Sequence, residues 1–81
     1  MARPNERINV IADLIERYMT EHPRAADTPK GISEWWIARQ GYAGSLNDVQ
    51  EALDHLVERG GLSRTVLADG TVIYARAGPF H

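Results

Sequence analysis

The groups with which this chain could do chemistry are carboxylates, arginines and three histidines; there is no cysteine. One cluster has useful spacing. Glu51, His55 and Glu58 stand four and three residues apart, so on a helix they share a face. Carboxylate and imidazole ligands in that pattern begin a metal site, but a working site takes ligands from a second element as well. The plainer reading of the same residues is a solvated acidic face with an i,i+4 Glu–His pair, and it is the favoured one. His22, His55 and His81 lie far apart along the chain. The few serines serve best as caps and turn residues. Gly60-Gly61 ends a helix rather than starting one, so it is no phosphate loop. The sequence therefore predicts a non-enzymatic protein without cofactor or metal.

The element that must position these groups runs from Ser45 to Leu62. Ser45 is a natural N-cap, and Asp48 occupies the reciprocal capping-box position. Leu46, Val49, Leu53, Leu56 and Val57 recur at helical spacing, with Ala52 on the flank. Gly60 supplies a left-handed C-cap, and Arg59 in the last turn suits the helix dipole. The opposite face carries Asn47, Glu51, Asp54 and Glu58 in one stripe, with Asp48 and His55 beside it. Like charges at i,i+3 and i,i+4 cost roughly 0.2–0.5 kcal/mol per pair. That stripe is either a solubilising surface, the favoured reading, or an anionic contact face.

At 81 residues the chain is one domain, 1–81, near the lower size limit for independent folding. Its net charge is −2, with eight arginines and one lysine scattered along it. A stand-alone nucleic-acid binder is normally basic, so the balance argues against that class. The lack of cysteine fits a reducing cytoplasm, and neither a membrane span nor a signal-peptide pattern is present. Met1 to Pro4 reads as a polar start.

Ahead of the central helix, Asn5 can cap a first helix running to about Glu21. Ile8, Ile11, Ala12, Ile15, Tyr18 and Met19 form its apolar face. Val10 and Leu14 widen that face. Either helix 1 is wedged between two elements, the preferred reading, or the Val10/Leu14 flank meets a partner or a second copy. His22-Pro23 stops the helix. A short strand near Ala25–Asp27 is possible in the connection. Thr28-Pro29 then starts a second helix reaching about Gln40. Either Ile32, Trp36 and Ile37 or Ile32, Trp35 and Trp36 face inward. Adjacent tryptophans on a helix are about 100° apart, so either one is core and the other a half-exposed candidate contact residue, or both pack against helix 1 and the hairpin. Gln40 to Gly44 makes the turn into the central helix, with Tyr42 over the junction.

After Gly61 the hydrophobic period changes to two. Leu62–Ala68 and Thr71–Ala77 flank Asp69-Gly70, which predicts a hairpin with a two-residue type I′ turn. That turn pairs Leu67 with Val72, Val66 with Ile73 and Thr65 with Tyr74. Leu62, Val66, Ile73 and Ala75 then face the core. Leu67, Val72 and Tyr74 face outward as an apolar patch, open to binding or covered by Pro79 and Phe80 folding back.

Helix, helix, turn, helix and hairpin is the order of a winged helix-turn-helix domain, and Ser45, Val49, Ala52, Leu53, Leu56, Glu58, Arg59 and Gly60 match its recognition-helix pattern. The hairpin with Asp69-Gly70 and Tyr74 resembles its wing, so the resemblance covers nearly the whole chain. It implies an α+β fold, a three-helix winged helix-turn-helix with a C-terminal two-stranded hairpin wing. In DNA-binding members the third helix enters the major groove. The matching positions here are Leu46, Asn47, Asp48, Gln50, Glu51, Asp54 and His55. Asn47 and Gln50 suit adenine edges. None of the seven is basic, and a carboxylate 4 Å from a phosphate is repelled by about 1 kcal/mol even in water. Positive charge would come from Lys30, Arg39, Arg64 and Arg76. Three functions follow as expectations. The first is a protein-interaction module using Glu51, Asp54, Glu58, Trp35 and the Leu67/Val72/Tyr74 face. The second is a small double-stranded-DNA-binding transcriptional regulator. The third is a homodimeric assembly component joined through Val10 and Leu14.

Overall fold

The structure, a computed structural model, describes residues 4–77 of the chain, with side chains from Glu6 onward. The expected return of Pro79 and Phe80 lies outside the described residues. Helix α1 spans Pro4–Glu21, starting ahead of Asn5, and stops before His22-Pro23 as expected. Strand β1 is Ala26–Asp27. A second helical segment follows in three parts: α2 (Pro29–Gly31), a π-helical stretch (Ile32–Ile37) and a 3₁₀ turn (Ala38–Gln40). Helix α3 spans Leu46–Glu58, and β2 (Leu62–Val66) and β3 (Val72–Arg76) form the hairpin. The fold is α+β, with three helical segments and a three-stranded antiparallel sheet in the order β1-β3-β2. The sheet gains a strand over the expected two because Ala26 and Asp27 pair with Ala75 and Tyr74.

Local signals set the helix limits. Ser45 Oγ accepts the Asp48 amide at 3.1 Å, and Thr28 Oγ1 accepts the Gly31 amide at 3.1 Å. At the end of α3 the Gly61 amide reaches Leu56 O at 2.8 Å and the Gly60 amide reaches Val57 O at 3.0 Å, with Gly60 at φ 80°. That is a Schellman closure, which needs a left-handed residue and so favours glycine. The capping box is not completed. The Asp48 carboxylate turns instead to Arg7 Nε on α1, 3.2 Å away.

The second segment is not the uniform α-helix its sequence suggests. Bonding of the i→i+5 type stacks residues five apart. Ile32 and Ile37 then stand on one side with Trp36 between them, and all three are buried. The tryptophan question is decided here: Trp36 is 2% exposed and Trp35 is 56% exposed. Trp36 stacks on Tyr18 at 4.6 Å between ring centroids. Gln40 Nε2 donates to both Trp36 O and Leu14 O at 2.8 Å, tying this segment to α1.

Ile8, Ile11, Ala12, Ile15 and Met19 of α1 meet Val49, Ala52, Leu53 and Leu56 of α3 in one core, closed by Leu62 and Tyr74 of the hairpin. Exposed ion pairs Arg7–Asp48 and Arg59–Glu16 (3.4 Å) mark the two ends of the α1/α3 contact, so these helices run in the same sense. Such exposed pairs contribute little energy; burial carries the packing. Leu46, expected on the apolar stripe, is 53% exposed, since α3 begins before it reaches the core.

The hairpin differs from expectation by one residue. Val66 pairs with Val72, Thr65 with Ile73 and Arg64 with Tyr74. The Leu67 amide donates to Thr71 O at 2.7 Å and the Gly70 amide to Leu67 O at 2.9 Å, with Gly70 at φ 90°. This is a longer loop, a turn over Leu67–Gly70 ending in a left-handed glycine. Side chains alternate with period two, so a slip of one residue exchanges the faces of one strand relative to the other. The slip turns β3, so Tyr74 enters the core at 1% exposure beside Leu62, whereas Val66, expected inside, keeps the Leu62 face but lies beyond the core at the far end of the hairpin and is 59% exposed. Ile73 and Ala75 are only half-buried.

Asp69 shapes this loop. Its Oδ1 accepts the Thr71 amide at 2.9 Å. That backbone bond, with help from the Thr71 hydroxyl, holds the Asp69 carboxyl below its ordinary range. A depressed carboxylate contributes stability above its unfolded pKa and loses it as pH falls through the folded value. The loop should hold unchanged from neutral pH down to the ordinary carboxylate range and loosen only below it. The Thr71 amide resonance, followed by NMR titration, should report that transition; a Thr71 shift that tracks an ordinary or raised carboxyl pKa would contradict it.

Candidate interaction surfaces

The buried stripe of α3 fixes what its other side shows. With Val49, Ala52, Leu53 and Leu56 turned inward, Asn47, Glu51, Asp54 and Glu58 are all exposed. Glu51, Asp54, His55 and Glu58 line a surface groove with Ile8 and Asn9 of α1. His55 Nδ1 lies 4.0 Å from Glu58 Oε2. Among the described residues no three His, Cys, Asp or Glu side chains converge as a metal site would require. The metal arrangement of Glu51, His55 and Glu58 is therefore not met: α1 brings isoleucine and asparagine to the groove, which supply no strong ligand.

The residues proposed for reading bases are unequally placed. Asn47 is exposed. Gln50 is half-buried, and its Nε2 donates to Tyr74 Oη at 2.9 Å and to Asp54 Oδ1 at 3.1 Å. That amide ties α3 to the hairpin, and using it on a base would strand the buried phenol. This role was hidden from the sequence because it follows from Tyr74 lying inside.

The basic side chains do not gather on α3. Arg64 opens onto a second groove, between hairpin and α3, with Thr28, Gln50, Asp54, Val72 and Tyr74. Lys30 is exposed in the first turn of the second segment, whose Pro29 borders that groove. Arg76 belongs to a third groove with Glu16, Met19 and Thr20 near the end of α1. Arg39 sits over the Trp35 ring, 5.6 Å from its centroid, in cation–π range. Arg64 and Lys30 thus stay near α3, while Arg76 and Arg39 are spent elsewhere.

Of the apolar contact candidates, Trp35 is out in solvent as a contact residue must be. Leu67 is 42% exposed. Val72 is half-buried against the core, and Tyr74 is withdrawn entirely, so the expected Leu67/Val72/Tyr74 face does not exist. The hairpin tip shows Val66 and Leu67 instead. On the α1 flank, Val10 is 44% exposed, but Leu14 is half-buried and packed against the core. The wedge reading thus holds for Leu14, and the pair does not form one open patch.

No helix among the described residues is long and apolar enough to cross a membrane. No family model matches the chain, and neither curated proteins nor solved structures give a match.

Proposed function

We propose that the chain is a non-enzymatic winged-helix binding module that engages a protein partner in the cytoplasm through the outer face of α3. The order helix, helix, turn, helix, hairpin supports the winged-helix assignment, with β1 as an added edge strand on the wing's sheet. The observation that carries the partner class is the charge of α3. Glu51, Asp54 and Glu58 are exposed together, and no arginine or lysine lies between Leu46 and Glu58. Placed in a major groove, this face would meet phosphates with carboxylates. A partner offering arginine or lysine meets it with complementary charge. Exposed Trp35, beside Arg39, supplies an aromatic anchor of the kind that dominates protein interfaces.

A second reading, a DNA-binding regulator, draws support from Arg64, which has no ion-pair partner among the described residues and borders α3. Anisotropy of labelled random-sequence duplex DNA across a salt series separates the two. The native chain should show no binding at low salt, where electrostatic attraction is least screened. Glu51→Lys with Glu58→Lys adds two charges at each site, taking the net charge from −2 to +2. That double variant should acquire weak DNA binding, with log K falling against log salt at a slope of about −2 for two added phosphate contacts. Micromolar binding by the native chain, weakening steeply with salt, would replace the protein-partner reading with the regulator.

A further inference from the structure

The sheet has two unlike edges. On one side β1 is only two residues long. On the other, β2 runs five residues in unbroken register against β3, and no strand pairs with its outer edge among the described residues. The ladder bonds at its two ends, Leu67 N–H to Thr71 O (2.7 Å) and Ala77 N–H to Gly61 O (3.2 Å), fix the alternation. Antiparallel strands bond in every second residue pair. Gly61, Ser63, Thr65 and Leu67 therefore bond inward to β3. The amides and carbonyls of Leu62, Arg64 and Val66 point to the open edge.

Sheet edges in soluble proteins are ordinarily blunted by proline, a bulge, brevity or inward-pointing charge. β2 has neither a proline nor a bulge; its single charge, Arg64, lies on the Tyr74 face at the α3 groove, and Ser63, Arg64, Thr65 and Val66 are all exposed. Val66 at 59% and Leu67 at 42% exposure put apolar surface at its far end.

We propose that β2 is a dimerisation edge and that its occupant is β2 of a second copy of this chain. A two-fold axis on Leu62 or Val66 sets half of each strand against the partner's turn or loop, which leaves three inner places on this five-residue strand. Centred on Arg64, it sets that guanidinium opposite itself, which is repulsive. Centred on Ser63, it sets Val66 opposite Gly60, in the turn that precedes the partner's strand. Centred on Thr65, it sets Thr65 opposite Thr65, a favourable cross-strand pair. Arg64 then lies opposite Val66 and Ser63 opposite Leu67. Both exposed apolar residues are covered, Val66 by the aliphatic stem of Arg64. The outward amides and carbonyls of Arg64 and Val66 bond reciprocally across the axis. The two three-stranded sheets become one continuous sheet with self-complementary contacts, as an isologous interface demands. This surface is distinct from the Val10/Leu14 flank and from the outer face of α3. A pair of five-residue strands buries less than the roughly 1,200 Å² of a stable interface, so the dimer is reversible and concentration-dependent.

The axis position makes a covalent test specific. Thr65 bonds inward to β3, so across the axis it forms a non-hydrogen-bonded pair with Cα atoms about 4.5 Å apart, within disulfide range. The chain has no cysteine of its own. Thr65→Cys and Ser63→Cys both alter exposed positions one pleat apart. Under mild oxidation, Thr65→Cys should cross-link at least about tenfold faster than Ser63→Cys, whose sulfurs the axis holds far apart. Sedimentation equilibrium of the unmodified chain from low micromolar to millimolar concentration should show a mass rising from 9.0 kDa toward twice that value. Thr65→Arg, which sets charge against its own copy, should hold the mass at the monomer value. A monomer at every concentration, or equal cross-linking rates for the two cysteine variants, would overturn the proposal.

Discussion

Replacing Trp36 by alanine should remove about 3–5 kcal/mol of folding stability, as other large-to-small changes of buried aromatics do. A domain of this size has on the order of 4–12 kcal/mol in total. The variant should therefore lose a large share of its stability, and its denaturant midpoint should fall far below that of the native chain. The loss has three sources: burial of the indole, its stacking on Tyr18, and the order of the π-helical stretch that Trp36 anchors between Ile32 and Ile37. Trp35→Ala, one residue away, removes a side chain that is 56% exposed and should cost less than about 1 kcal/mol. Urea denaturation followed by circular dichroism measures both. Trp35→Ala, which stays folded, also leaves Trp36 as its single tryptophan, and that residue should fluoresce as a buried indole. Equal destabilisation by the two changes would mean that the inside and outside of this segment are misassigned.

The second large effect tests the hairpin. Tyr74→Ala should destabilise by about 3 kcal/mol or more, through the cavity left beside the core and the Gln50 amide deprived of one of its two acceptors. Tyr74→Phe keeps the ring and removes the bond to Gln50, and should cost about 0.5–1.5 kcal/mol. Val66→Ala should be nearly silent, since Val66 is exposed. The register expected from a two-residue turn reverses this order, with Val66 costly and Tyr74 cheap. The Tyr74 variants thus read the register of β3, and Val66→Ala reads how far the core reaches along β2, whose inward face is the same in both registers. A Val66→Ala loss exceeding that of Tyr74→Ala would sink the observed pairing.

The same residue slip shows how far the sequence reaches. Asp69-Gly70 marks a hairpin in any reading, because a left-handed glycine is needed in both the two-residue turn and the longer loop. Which of the two forms depends on what the strands gain by burying one face. The longer loop places Leu62 and Tyr74 together against α3 and lets Gln50 meet the phenol. The shorter loop would place Val66 and Ile73 inward and leave that phenol in water. A 2.9 Å bond between residues 24 apart in the chain has no local signature. The withdrawal of Gln50 from the list of base-reading residues, and of Tyr74 from the contact face, both follow from it.

By itself the sequence determined where α3 begins and ends, where the second helical segment starts, where α1 stops, and which face of α3 is acidic. Caps act within three or four residues, and the apolar stripe of α3 has a fixed period, so Ser45, Thr28, Gly60 and the exposed row Glu51, Asp54, Glu58 were legible without a partner in view. Only the tertiary structure decided that Trp36 rather than Trp35 is core, that Asp48 pairs with Arg7 instead of closing its own cap, that Ala26 and Asp27 extend the sheet, and that Tyr74 lies inside. Each of these is a choice between locally similar states. Packing and bonding between segments distant in the chain separate them, and those contacts exist only once the helices and the hairpin have met.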